Sequence, residues 1–146
     1  METEIAELCK KTGFTTYKNL EIHTLDKIHC HPKDLGDYDV VAIDIKNKVV
    51  WNLESKFLIK VGSIKEYANH QSSFFLRNKK DEKFAKRIKY LSEHLIDFLK
   101  SINIAQPNLY TLKNYMITNK VFTSPYKKLN FEIITFYELE QLLTKQ

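Results

Sequence analysis

Asp39, Glu54 and Lys56, in the stretch GDYDVVAIDIKNKVVWNLESK, combine the side-chain types that can act on an anionic bond. Two carboxylates offer the hard oxygen ligands that Mg²⁺ or Mn²⁺ takes, usually one or two acids together with substrate phosphate. Such an ion polarises a phosphodiester, helps generate hydroxide and steadies the leaving oxygen. An ammonium beside it orients the attacking water or offsets charge developing in the transition state. The plain alternative is a solvent-facing ladder of alternating polar residues, normal on a one-sided sheet.

A hairpin is needed to bring the three together. Two runs rich in β-branched residues, Val40 to Ile45 and Val49 to Leu53, flank Lys46-Asn47-Lys48. Such runs around a polar break read as paired strands. A turn centred on Lys46-Asn47 sets Asp39 opposite Glu54. Glu54 and Lys56 then share a face, roughly 7 Å apart. Asp44-Ile45-Lys46 has the same acid-x-Lys form. It abuts the turn, and its odd separation from Asp39 puts the two acids on opposite faces.

The flanking sequence supplies the supports. Residues 2–12 place Ile5, Leu8 and Cys9 at helical spacing, with acids early and lysines late, and Gly13 as a stop. A first strand is expected around Tyr17 to Ile22, then a connecting loop over 26–35. Phe57 to Val61 is expected to continue the second hairpin strand. Ser63 with Glu66 matches a capping box and predicts a helix from Ile64 to Leu76. A long amphipathic helix follows over 80–102, its apolar face formed by Phe84, Ile88, Leu91, Leu95, Phe98 and Ile102. Tyr115 to Thr118 and Phe131 to Phe136 read as strands and Tyr137 to Thr144 as a closing helix. The order predicts an α/β layered domain with a mixed sheet spanning residues 1–146.

Composition sets the frame. At 43% hydrophobic and 28% charged, the 146 residues match a soluble globular domain. No apolar run approaches the ~18 residues of a spanning helix, and no signal-peptide pattern opens the chain. Cys9 and Cys30 without pairing logic fit a reducing, cytoplasmic compartment. His29-Cys30-His31 invites a zinc reading, but adjacent extended residues diverge and no second ligand pair is present. Residues 1–56 hold 8 Lys/Arg against 10 Asp/Glu, and residues 57–146 hold 15 against 8. An acidic hairpin beside a basic remainder suits a polyanion-binding surface. Within Arg77 to Lys89, Arg77, Lys79, Lys80, Lys83, Lys86 and Arg87 are the candidate phosphate contacts. The bland reading makes them the solvated face of the long helix.

GDYD, an apolar strand, a turn and a strand ending in Glu-Ser-Lys resembles the core of the PD-(D/E)xK nuclease superfamily. Holliday junction resolvases of archaeal type and RecB-like nuclease domains belong to it. The resemblance implies a three-layer restriction endonuclease-like fold, with a mixed central sheet flanked by helices. It also implies a Mg²⁺- or Mn²⁺-dependent deoxyribonuclease. Asp39 and Glu54 would hold the metal with the Ser55 backbone carbonyl, and Lys56 would position the water. An N-terminal glutamate would join them: Glu2, eleven residues before Gly13-Phe14, with Glu4 and Glu7 as fallbacks. Gln71-Ser72-Ser73-Phe74-Phe75 is similar to the Gln-x-x-x-aromatic element of RecB-like members, which makes Gln71 a candidate nucleic-acid contact. DNA is the expected partner. A homodimer is a further expectation, as is a helicase, ATPase or specificity domain on the same or a partner chain. The competing expectation is a non-catalytic module of the same fold that binds nucleic acid or protein within an assembly.

Overall fold

A computed structural model describes residues 1–23, 30–122 and 128–145, and these form four α-helices and five strands. Helix α1 (Glu2–Lys11) ends at Gly13, whose φ of +87° favours a residue without a Cβ. Strands β1 (Thr15–Leu20), β2 (Tyr38–Asp44) and β3 (Val49–Lys56) follow. Helix α2 (Ile64–Ser72) runs into a π-helical turn over Ser73–Arg77, and α3 spans Lys80–Ser101. Strands β4 (Thr111–Thr118) and β5 (Glu132–Thr135) lead into α4 (Phe136–Thr144). The sheet order is β1-β2-β3-β4-β5, antiparallel among the first three strands and parallel from β3 to β5. The predicted α/β class with a mixed sheet is the observed one.

Alternation along β2 and β3 directs side chains into two helical layers. On one face Val40, Ala42, Trp51 and Leu53 pack with Ile5 and Cys9 of α1 and Leu139 and Leu143 of α4. On the other, Val41, Ile43 and Val50 meet Leu91, Leu95, Phe98 and Leu99 of α3. A third cluster joins Phe74 and Phe75 to Phe84, Met116 and Phe122. With helices on both faces, the hairpin strands are buried along most of their length, which explains their continuous apolar runs. No helix among the described residues is long and apolar enough to cross a membrane.

Several boundaries differ from expectation. Strand β3 stops at Lys56 rather than running to Val61. Beyond it the Asn119 side chain takes both backbone groups of Leu58, accepting from its N–H at 2.7 Å and donating to its carbonyl at 3.1 Å. Strand β4 begins at Thr111 rather than Tyr115. The polar residues that disguised its start have specific places, since Lys113 Nζ lies 4.9 Å over the Trp51 ring and Asn114 accepts from Asn52 at 3.0 Å. The helix expected over 64–76 holds as α2 and then widens into the π-helical turn. Strand β1 begins at Thr15 and ends at Leu20, short of Ile22.

Candidate active site

The β2–β3 ladder sets the register expected for the hairpin, with Val40 paired to Leu53 and Asp44 to Val49. Val40↔Leu53 is its last pair. Beyond that point the Asp39 side chain takes over, Oδ2 accepting from the Ser55 N–H at 2.7 Å. Strict alternation also lapses here. Tyr38 packs with Val41 and Ile43, an odd number of residues away, and donates its hydroxyl to the Arg87 carbonyl at 2.8 Å. Asn19, with φ +49°, lies between the pairs Lys18↔Val40 and Leu20↔Tyr38, opposite Asp39. The Asp39–Glu54 cross-strand pairing anticipated from the turn is thus realised as a carboxylate-to-main-chain bond one residue further on.

Glu54 is only 1% exposed and carries two cations on one oxygen. Lys56 Nζ stands 2.5 Å from Oε1, and Arg87 Nη2 pairs with the same atom. Arg87 therefore departs from its expected place on the solvated basic face. Its guanidinium is largely buried, donating also to the Leu35 carbonyl at 3.2 Å and lying 6.0 Å from the Phe84 ring centroid. The physical reason is a buried carboxylate, which needs a hydrogen-bonded counter-charge. Gly36 completes this contact, because a Cβ there would stand 3.4 Å from Arg87 Nη1 and its φ is +71°. One guanidinium thus ties α3, β3 and the loop before Asp39.

Among the three N-terminal glutamates, Glu2 faces the hairpin. It lines a depression of about 490 Å³ with Met1, Thr3, Ser55 and Phe57, whereas Glu4 and Glu7 are exposed. Asp39 feels this crowding. Burial first, then the negative charge of Glu54, push its carboxyl up to about 6; the Ser55 hydrogen bond and Lys56 act against the shift, and Glu2 adds to it. An all-oxygen set of Asp39, Glu54 and the adjoining Ser55 carbonyl fits a hard divalent cation in kind. A carboxyl raised by negative neighbours is also one that a cation would relieve. Among the described residues, no three His, Cys, Asp or Glu side chains gather as a metal-holding group. Any cation here would rest on two acids and main chain.

The other candidates divide. Arg77, Lys79, Lys83 and Lys86 are exposed and Lys80 half-buried, around the start of α3, with Lys79 also 3.7 Å from Glu82. Gln71 is not a surface residue. It is 7% exposed and donates to the Tyr67 hydroxyl at 3.2 Å, because it lies on the inward side of α2 just ahead of buried Phe74 and Phe75. In the His-Cys-His cluster, His29 lies outside the described residues. Both ring nitrogens of His31 serve the backbone, Nδ1 accepting from Ile22 N–H at 3.1 Å and Nε2 lying 2.9 Å from the Gly36 carbonyl. Asp44 holds the hairpin turn, accepting from Asn47 N–H at 2.9 Å and Asn47 Nδ2 at 2.7 Å. Arg87 is the residue that sequence reasoning misplaced, and its only local signal was apolar Phe84 and Ile88 on either side in an amphipathic helix.

The molecule is thus a three-layer α/β protein with a buried carboxylate and its cations at the open end of a hairpin. No protein-family model matches the chain, and no curated protein matches it. Among solved structures it is similar to one described as "Crystal Structure of Protein of Unknown Function AF1548". The TM-score is 0.44 and the identity 18%, over 92% of this chain and 56% of that one. This chain therefore spans little more than half the length of that neighbour.

Proposed function

We propose that this chain is a metal-dependent nuclease domain that hydrolyses DNA phosphodiester bonds through a site of PD-(D/E)xK type. The observation that carries the reading is the gathering of Asp39, Glu54 and Lys56 around the Ser55 main chain, with Glu2 lining a depression beside Ser55. The helix, antiparallel hairpin and parallel strands agree with the restriction endonuclease-like layout that the resemblance implies. Asp39 and Glu54, with the Ser55 carbonyl, are the oxygen donors for Mg²⁺ or Mn²⁺. When bound, the ion supplies Lewis-acid polarisation of the phosphoryl group and a lowered water pKa. Lys56, fixed by Glu54, presents a positive charge where the nucleophile and the developing phosphorane charge meet. Asp39 must give up its proton to serve as a ligand, so its raised pKa ties the site to pH. The exposed cations Arg77, Lys79, Lys83 and Lys86 are suited to backbone phosphates, without sequence readout. Cys9 and Cys30, not joined in a disulfide, accord with a reducing, cytoplasmic setting.

The test is Mn²⁺ titration calorimetry on the wild type and Asp39→Ala, followed by plasmid nicking on the same samples. Saturable binding and nicking, both lost in Asp39→Ala, are the expected result. Nicking by Asp39→Ala at the wild-type rate would refute the assignment. A second reading, a non-catalytic binding module, draws on Glu54, whose charge two side-chain cations already balance. It predicts salt-sensitive DNA binding with no metal-dependent turnover.

A further inference from the structure

We propose that Phe57 is a stacking platform for one unpaired nucleobase, so that the substrate enters as single-stranded or frayed nucleic acid. The proposal rests on the nuclease reading for the position of the phosphate, and on its own observations for the base.

Phe57 follows Lys56 directly and is 77% exposed, while Leu58 beside it is 2% exposed. An aromatic ring this exposed is ordinarily loosely held, but its backbone is pinned. Asn119 bonds both main-chain groups of Leu58, and Lys120 Nζ donates to the Ile59 carbonyl. The ring is therefore offered from a fixed main chain, which lowers the ordering cost of binding.

Phe57 and Met1 line two depressions at once. One, shared with Glu2, Thr3 and Ser55, adjoins the carboxylate site through Ser55, whose N–H bonds Asp39. The other, of about 310 Å³, is lined by Met1, Glu4, Phe57, Asn119 and Phe136, with both aromatic rings on its wall. An occupant spanning both needs a group that reacts or binds beside carboxylates at one end and a flat apolar face at the other. A nucleotide has that chemistry. Cations border the two depressions, whose linings include Glu2 and Glu4: exposed Lys60 follows the ring in Lys56-Phe57-Leu58-Ile59-Lys60, and Lys18 Nζ donates to Thr3 Oγ1 at the rim at 2.9 Å. Cations that follow a phosphate chain, interleaved with an exposed ring, are the usual means of holding a single strand. A duplex hides its base faces, so stacking on Phe57 demands a base already unpaired.

The experiment compares wild type, Phe57→Ala and Phe57→Trp, in EDTA to prevent turnover, binding a fluorescent oligodeoxynucleotide as single strand and as blunt hairpin duplex. Stacking lost at one base predicts roughly 5- to 150-fold weaker single-strand binding by Phe57→Ala, with duplex binding changed less than about twofold. Phe57→Trp should retain affinity and show quenched tryptophan emission on adding the single strand. Equal effects of Phe57→Ala on both forms, or none on either, would overturn the proposal, as would capture of neither form by the wild type. Cleavage of the same single-stranded oligodeoxynucleotide with Mn²⁺ in place of EDTA separates the two claims. Single-strand selectivity without cleavage keeps the platform and removes the nuclease reading. Cleavage without selectivity does the reverse.

Discussion

Replacing Arg87 with methionine would take one partner from a buried ion pair and leave the other in place. Glu54 is 1% exposed and the Arg87 side chain 11%, so water can do little to compensate. Breaking such a pair costs about 3–5 kcal/mol, because a charge remains buried and unbalanced. Lys56, 2.5 Å from the same Oε1 and 26% exposed, still neutralises part of that charge. The lower end, about 3 kcal/mol, is therefore expected. At this chain length that corresponds to a fall in Tm of about 6–12 °C. Thermal unfolding followed by circular dichroism measures it. A double variant, Arg87→Met with Glu54→Gln, should recover part of the loss, since the stranded charge is gone. A Tm for Arg87→Met within about 2 °C of wild type, or a double variant no more stable than the single, would refute the reasoning.

Two further outcomes are expected. The Asp39 carboxyl, ordinarily near ~3.9, is pushed up to about 6 by burial and the Glu54 charge. Its protonated form therefore favours the folded state, a contribution complete below the ordinary value and lost as pH rises through about 6. Asp39→Asn should flatten that loss in Tm profiles from pH 4 to 7, while wild-type Mn²⁺ affinity rises across the same window as the carboxylate forms; parallel Tm profiles would exclude the linkage. For the two thiols, burial pushes Cys9 up to about 12, whereas Cys30 is exposed. An aromatic disulfide reagent near pH 8 should titrate one thiol quickly and the second only on unfolding in denaturant; two equally fast thiols would contradict the placement of Cys9 in the α1 core.

Much of the frame was legible locally. The period of Phe84, Ile88, Leu91, Leu95 and Phe98 marks α3, and those side chains are buried where that period puts them. The runs on either side of Lys46-Asn47 give a hairpin whose register depends on a short turn, and Asp44 closes that turn by bonding Asn47. Ser63 caps α2 as its spacing with Glu66 implies, accepting from the Glu66 N–H at 3.2 Å, although the Glu66 carboxylate reaches Gly62 N–H instead of Ser63. Strand ends were less legible. A local pattern extends the strand through apolar Leu58 and leaves out polar Lys113, yet the first lies beyond the sheet and the second within it. Asn119 and Trp51, far away in sequence, make the difference.

By itself, then, the sequence determined the elements, their order and the grouping of Asp39, Glu54 and Lys56 on one hairpin, because periodicity, caps and short turns act between near neighbours in the chain. Which cation would be buried was decided only by the tertiary structure. Arg87 is one of seven Lys/Arg between Arg77 and Lys89, and only its place between Phe84 and Ile88 hints at a difference from Lys83 or Lys86. It turns inward because packing α3 on the sheet brings it to Glu54, 33 residues earlier, whose buried charge requires a partner. The same packing set Glu2 beside Ser55 and left Glu4 and Glu7 exposed, and it buried Gln71 with its amide on the Tyr67 hydroxyl. Desolvation depends on what the whole chain covers, and no local pattern encodes it.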